Sequence, residues 1–381
     1  MAHIGLARYD VFKADSWTKT DLILRDMSMP GKAAFVLGGQ MGSEGKGAAS
    51  AWLAAEFGKR GPCPYNVVTS NAGVQSGHTS IHNGVKRIAF HIPTFPLIVQ
   101  EDQGRFRGIV YLNAGSVIDP DVFEKEMSLY DGELFIHPMA AIVTDECREA
   151  ERKVDSSQTK IASTRKGVGE AIARKVLRSG LVAKDEPRLK KFIRRMDLNL
   201  LLRQEGRVLV EIPQGVGLSL NHSGFYPYTT SRDCTPMAAL SDAGIHPSFY
   251  GATMLVLRTY PIRVGNIVEN GETLGKSGGH YPDQEEVEWD DLGVDPEITT
   301  VTKRTRRVFT FSKDQLYDAM ALTRPDVIML TFCDYVKEQF YLDDIEHEIK
   351  MVAQQLWMPP PRIVYQSGPT TDDVAEESVA R

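Results

Sequence analysis

Cysteine is scarce in this chain: Cys63, Cys147, Cys234 and Cys333 are the 4 among 381 residues, and no two of them form a CxxC pair. That argues against a disulfide framework and against a zinc site built on paired thiolates, and it points to a reducing cytosol. Long apolar runs are lacking too. No segment reads as a membrane span, and the N-terminus does not have the charged-then-apolar order of a secretory signal. Nor is one sign of charge in large excess: 44 Lys and Arg stand against 50 Asp and Glu, a formal net charge of -6, and the basic residues are spread out apart from the short run "TKRTRR". A nucleic-acid footprint is therefore not expected, whereas small anionic ligands remain possible. There is no internal repeat and no linker rich enough to divide the chain.

What is present suffices for a large core. Hydrophobic residues make up 42% of the composition, enough for one large domain or two ordinary ones. "AAFVLGG" from Ala33 reads as a strand closed by glycines, and "EGKGAASAWLAAEFGKRG" after it reads as a helix that stops near Gly58. Further strands are expected at "GIVYLNAG", "LFIH", "RVLVEIPQG", "TMLVLRTYPIRVG", "DVIMLTF" and "RIVYQSG", with helices at 119–130, 167–178 and 313–322 between several of them. This alternation predicts an α/β fold: a single large domain around a mainly parallel sheet with helices on both faces, over residues 31–369. Residues 1–30 read as an N-terminal extension without periodicity, with Met27 and Met29 as alternative starts, and the acidic 370–381 as a disordered tail.

Two segments carry phosphate chemistry. "GGQMGSEGKGAAS", from Gly38 to Ser50, approaches the phosphate-binding pattern GxxxxGK[ST], in which glycine N–H groups and a lysine cradle phosphates. Gly45-Lys46 is there, but Gln40 stands at the first glycine and Gly47 at the metal-binding hydroxyl. "SNAGVQSGHTSIHNG", from Ser70 to Gly84, surrounds His78 with small and amide residues after a strand, which places the histidine on a loop at a sheet edge.

"GGQMGSEGKG", "QSGHT", "IASTRKGVGEAIARKVLRSG", "VEIPQGVGLSLNHSGFYPYTTS", "TYPIRVG", "EITTVTKRTRRV" and "YQSGP" occur in an order and spacing that resembles the adenylosuccinate synthetase family, from Ala33 to Pro369. The compact length and the "EITTVTKRTRR" wording resemble its short archaeal-like branch. Within that branch, serine in the GxEGKG loop resembles phage enzymes that make a 2-aminoadenine precursor.

The resemblance implies a carbon–nitrogen ligase: a nucleotide γ-phosphoryl group goes to the purine O6, and the aspartate amine then displaces it. By this carry-over, Ser43, Lys46, His78 and Gln214 are the catalytic positions, with Lys46 in the phosphate cradle, His78 assisting phosphoryl transfer as an acid and Gln214 holding the purine. Ser43, Gln75, Ser163, Thr164, Arg178, Gln214 and Thr230 match monophosphate contacts, Arg178 reaching the neighbouring subunit's site in a homodimer. Val301, Thr302, Lys303 and Arg304 match the aspartate-capturing loop, where a planar guanidinium suits a carboxylate. Gly42, Glu44, Gly45, Lys46, Gly47, Thr79, Arg306, Asp334, Ser367 and Gly368 match the donor-nucleotide site, and Ser43 and Gly77 match positions that hold Mg2+.

Two departures refine the expectation. Where the family usually has an aspartate that bonds the purine N1 and ligates magnesium, this chain has Ser43. A serine leaves space for the 2-amino group of guanine, which makes dGMP the expected substrate in place of IMP. In "LTFCDYV", Phe332 replaces the lysine of the family's TKxD motif while Asp334 stays, which favours ATP or dATP over GTP as donor. The alternatives are an ordinary synthetase acting on IMP with GTP, or a nucleotide-binding relative without catalysis. A phage-encoded enzyme of this kind would work in the host cytoplasm.

Overall fold

The computed structural model describes residues 17–380 except 270 and 300–302. At its centre is a nine-stranded sheet. In chain order its strands are β1 (Ala33–Gly38), β2 (Val67–Ser70), β3 (Ile109–Leu112), β4 (Glu133–Ile136), β5 (Val208–Gly215), β6 (Tyr250–Arg258), β7 (Val327–Thr331), β8 (Arg362–Gln366) and β9 (Val374–Ala375). Their spatial order is β9-β8-β7-β6-β1-β5-β2-β3-β4. Every neighbouring pair is parallel except β8–β9. β1, β2, β3, β5 and β7 are buried at every residue, which is why they read as continuous apolar runs: helices cover both faces. One core cluster lies on each face, around Phe95 and Phe123 on one side and Tyr111 and Leu316 on the other.

The strand order reverses about β1. Its successors run outward on one side, then the chain returns to insert β5 and β6 against β1 itself. The carboxyl ends of β1, β5 and β6 therefore meet at a topological switch point, where parallel sheets open a crevice for ligands.

The expected elements are found close to their predicted places, with helices at Pro120–Glu126, Val168–Val176 and Lys313–Thr323. The two ends of the chain require a correction. Within the supposed extension, residues 1–16 lie outside the described residues, but Lys19–Met27 forms helix α1, started by a capping box between Thr18 and Asp21. Its Ile23, Leu24 and Met27 join the core beside Phe57, Tyr65 and Phe95. A chain begun at Met27 would lack that helix. In the tail, Val374–Ala375 pairs with β8, and the Glu376 carboxylate accepts from the Thr20 N–H and hydroxyl, both at 2.7 Å. An acid at a helix N-terminus complements its exposed N–H groups, and here helix and acid lie 356 residues apart in sequence.

Candidate active site

The loop between β1 and helix α2 (Lys46–Arg60) owes its shape to a buried carboxylate. Glu44 is 0% exposed; its side chain accepts from the N–H groups of Gln40 (3.1 Å) and Gly42 (2.7 Å) and from Lys46 Nζ (2.5 Å). Burial alone would push the Glu44 carboxyl up, but the Lys46 ammonium and the loop N–H groups outweigh it and hold it below the usual carboxylate range. The sequence provides for this strut by leaving out two side chains. A Cβ on Gly38 or on Gly215 would lie 2.2 Å from the Glu44 carboxylate.

One departure from the standard phosphate loop, Gly47, has a steric cause in a tertiary contact. His78–His82 and Val85–Ala89 form an antiparallel hairpin over the start of α2, turning at Asn83-Gly84, both with positive φ. Asn-Gly is the preferred pair for such a two-residue turn. A Cβ on Gly47 would lie 2.5 Å from the Thr79 carbonyl oxygen, so the position that carries Ser or Thr in the standard motif has no room for either. His78 accordingly opens a strand and does not sit on an irregular loop as expected. Its ring is held between Glu211, with Nδ1 3.8 Å from the carboxylate, and the Pro213 carbonyl, 3.4 Å from Nε2. Glu211 is itself anchored by the N–H groups of Thr94 and Phe95 at the start of α3 (Thr94–Gln103).

These pieces border one cavity of about 690 Å³. Of the residues singled out in the sequence, Gly42, Ser43, Gly45, Lys46, Gly47, Gln75, Gly77, His78 and Thr79 line it from one side. Ser163, Thr164, Gln214, Thr230, Arg306, Asp334 and Gly368 complete the wall. Gln75 and Gln214 each present a buried amide whose nitrogen and oxygen have no protein partner. Two unpartnered amides in one cavity wall are costly unless a polar ligand meets them.

Other predicted residues are placed elsewhere. Glu44 lies behind the wall as the strut just described, and Ser367 is adjacent to it, its N–H bonded to the Asp373 carbonyl. Arg178 is exposed and does not line the cavity, and it has φ of 62°. Arg304 borders a second, neighbouring cavity, where its guanidinium donates to the carbonyls of Gly265, Ala162 and Ser163 at 2.8–3.1 Å. Burial, with Arg165 nearby, lowers its pKa to about 10. Lys303 is exposed in the same turn, and Val301 and Thr302 lie outside the described residues.

Charged residues that sequence reasoning missed tie the site together. Arg258, at the end of β6, pairs with Glu297, and Glu297 lies 3.5 Å from Arg306. Arg306 Nη1 donates to Ser43 Oγ at 2.5 Å. Burial pushes the Glu297 carboxyl up, yet the Arg258 guanidinium beside it holds it below the carboxylate range. Arg263 also lines the cavity, donating to the carbonyls of Gly279 and Tyr228. The available signal was an arginine within or just after an apolar strand run, in "TMLVLRTYPIRVG".

For a divalent cation, Ser43 Oγ and the Gly77 carbonyl offer oxygen only, and no three His, Cys, Asp or Glu side chains converge among the described residues. A sparse oxygen set suits Mg2+, which keeps few protein ligands and takes substrate phosphate oxygens.

A profile of the adenylosuccinate synthetase family matches residues 35–204 and 186–346. The N6-succino-2-amino-2'-deoxyadenylate synthase of Vibrio phage phiVC8 is 38% identical over 351 residues, which is 88% of this chain and 95% of the phage protein. The enzyme of the same name from Salmonella phage PMBT28 is 33% identical, over 90% of this chain and 97% of its own. Among solved structures, the cyanophage S-2L succinoaminodeoxyadenylate synthetase, bound to dGMP and to dATP as an energy donor, superimposes with a TM-score of 0.77 at 30% identity, covering 90% of this chain and 95% of that one.

Proposed function

This chain belongs to the adenylosuccinate synthetase family, and we propose that it joins dGMP to L-aspartate, giving 2-amino-2'-deoxyadenylosuccinate, with ATP or dATP as phosphate donor. The observation that carries the substrate is Ser43: the cavity keeps Lys46, His78 and Gln214 but has a hydroxyl where the family usually has a carboxylate. The phage relatives named for this product, and the cyanophage enzyme bound to dGMP and dATP, support the same reading.

In the first step the purine O6 attacks the donor's γ-phosphorus, the N1 proton passes to water, and the nucleoside diphosphate leaves. In the second, the aspartate amine attacks C6, and the phosphate formed on O6 leaves as inorganic phosphate. The keto oxygen is a poor leaving group, so the phosphoryl group must go on first. Lys46 and the loop N–H groups cradle the donor phosphates, and His78 donates toward the transferring group. Gln214 and Gln75 place their unpartnered amides on the monophosphate. Ser43 and the Gly77 carbonyl would hold Mg2+, which would neutralise the γ-phosphoryl charge. Aspartate is captured by residues 301–304 when Arg304 leaves its carbonyl partners, and Arg178 completes the partner's monophosphate site in a homodimer.

The test is a turnover matrix of dGMP, GMP and IMP against ATP, dATP and GTP, with aspartate present. Product from dGMP with ATP or dATP is expected. Turnover confined to IMP with GTP would make this an ordinary adenylosuccinate synthetase, and ligand binding without phosphate release would make it a non-catalytic relative.

A further inference from the structure

Arg258 is a fully buried cation with a planar neighbour. Its Nε donates to the Tyr260 carbonyl at 3.0 Å, its Nη1 to the Ser43 carbonyl and to Glu297 at 3.2 Å each, and its Nη2 to the other Glu297 oxygen. The guanidinium carbon also lies 3.6 Å from the centroid of the Phe332 ring. Tyr335 packs against that ring at 5.2 Å, and the Thr259 hydroxyl donates to the Phe332 carbonyl at 2.7 Å. Phe332 itself has φ of 59°, a backbone conformation uncommon for an aromatic residue and one that its surroundings must hold. One side of the ring is thus taken by a cation, while the residue lines the cavity beside Asp334.

We propose that Arg258 is a positioning residue for the phosphate donor: it holds Phe332 as a fixed aromatic platform on which the donor's purine stacks, and ties that platform to the loop carrying Ser43. This rests on the reading above that a purine nucleotide occupies the Asp334 end of the cavity. Every purine has a π-face whatever its edge substituents, so such a platform binds purines as a class and leaves edge discrimination to Asp334. Arginine suits the task because its plane can stack on the ring while its fork meets a carboxylate, which an ammonium cannot do together. The same packing explains the phenylalanine. A lysine at 332 would set a second cation against a buried guanidinium whose carboxylate partner is already shared with Arg306.

The experiment is a double-mutant cycle read in steady-state kinetics with ATP and dATP as the varied donors. Arg258→Lys keeps the charge and loses the plane, so it is expected to raise the donor KM about tenfold, with kcat and the dGMP KM changed by less than about threefold. Phe332→Leu should do the same, and combining the two should add nothing further, because one acts through the other. An unchanged donor KM in Arg258→Lys, or multiplying effects in the double variant, overturns the proposal. If Arg258→Lys does not fold by circular dichroism, Phe332→Trp against Phe332→Leu decides: the donor KM should be kept by tryptophan and lost by leucine, and equal values overturn it. Failure of the functional reading is separate, since the unaltered protein would then join no dGMP to aspartate with any donor.

Discussion

Ser43 shows how much of the site depends on one side chain and its neighbour. It has φ of 59°, is exposed at the cavity wall, and its hydroxyl accepts from Arg306 at 2.5 Å. Ser43→Asp would place a carboxylate against both that guanidinium and the purine N1 edge, crowding the 2-amino group of dGMP, which IMP lacks. Selectivity is a difference between two transition-state energies. The ratio of kcat/KM for IMP over dGMP should therefore rise at least roughly tenfold, about 1.4 kcal/mol. If the variant keeps or strengthens its preference for dGMP, the serine is not there to make room. The departure at Ser43 was legible in the sequence because a motif has fixed places. The grip of Arg306 was not, because the two residues are 263 positions apart and meet only through the fold.

At the scale of elements, the parallel strands were legible because burial on both faces leaves long apolar runs. Helix α1 was not. It is short, and its stability comes from partners distant in sequence: Phe57, Tyr65 and Phe95 in the core, and Glu376 at its N-terminus. Leu24 is 0% exposed, so Leu24→Ala should lower the stability to unfolding by about 2–5 kcal/mol, the usual range for truncating a buried leucine. Denaturant unfolding measures this directly, and a loss under about 0.5 kcal/mol, the scale of a surface change, would mean that α1 is not part of the core. The hairpin over α2 is the opposite case. Its Asn83-Gly84 turn is a strong local signal, but the reason for Gly47 beneath it is a tertiary contact with Thr79.

At the scale of the whole molecule, a single chain does not account for Arg178. It ends an exposed apolar stretch, Val176 and Leu177 at 65% and 73% exposure, its guanidinium donates to the nearby Val176 carbonyl, and it does not line the cavity. Such a position fits a group that acts on a neighbour. Arg178→Ala should raise the dGMP KM by on the order of tenfold or more while leaving the thermal midpoint unchanged. Mixing it with an inactive His78→Asn protein should restore part of the activity, since in the proposed homodimer one of the two sites would then be whole. No recovery on mixing would place Arg178 outside any shared site.

By itself the sequence determined the class of fold, through alternating runs and helices, and it singled out the phosphate-like loop, the histidine and the amides that line one cavity, through residue types and local spacing. Tertiary structure alone decided which groups line the cavity and which serve as supports. Glu44 turns inward as a strut, Arg304 turns to backbone carbonyls, and Arg258 and Glu297 join the ends of the site. The physical reason is that a buried charge is stable only beside a partner. Those partners come from strands and loops that become neighbours only when β5 and β6 close on either side of β1.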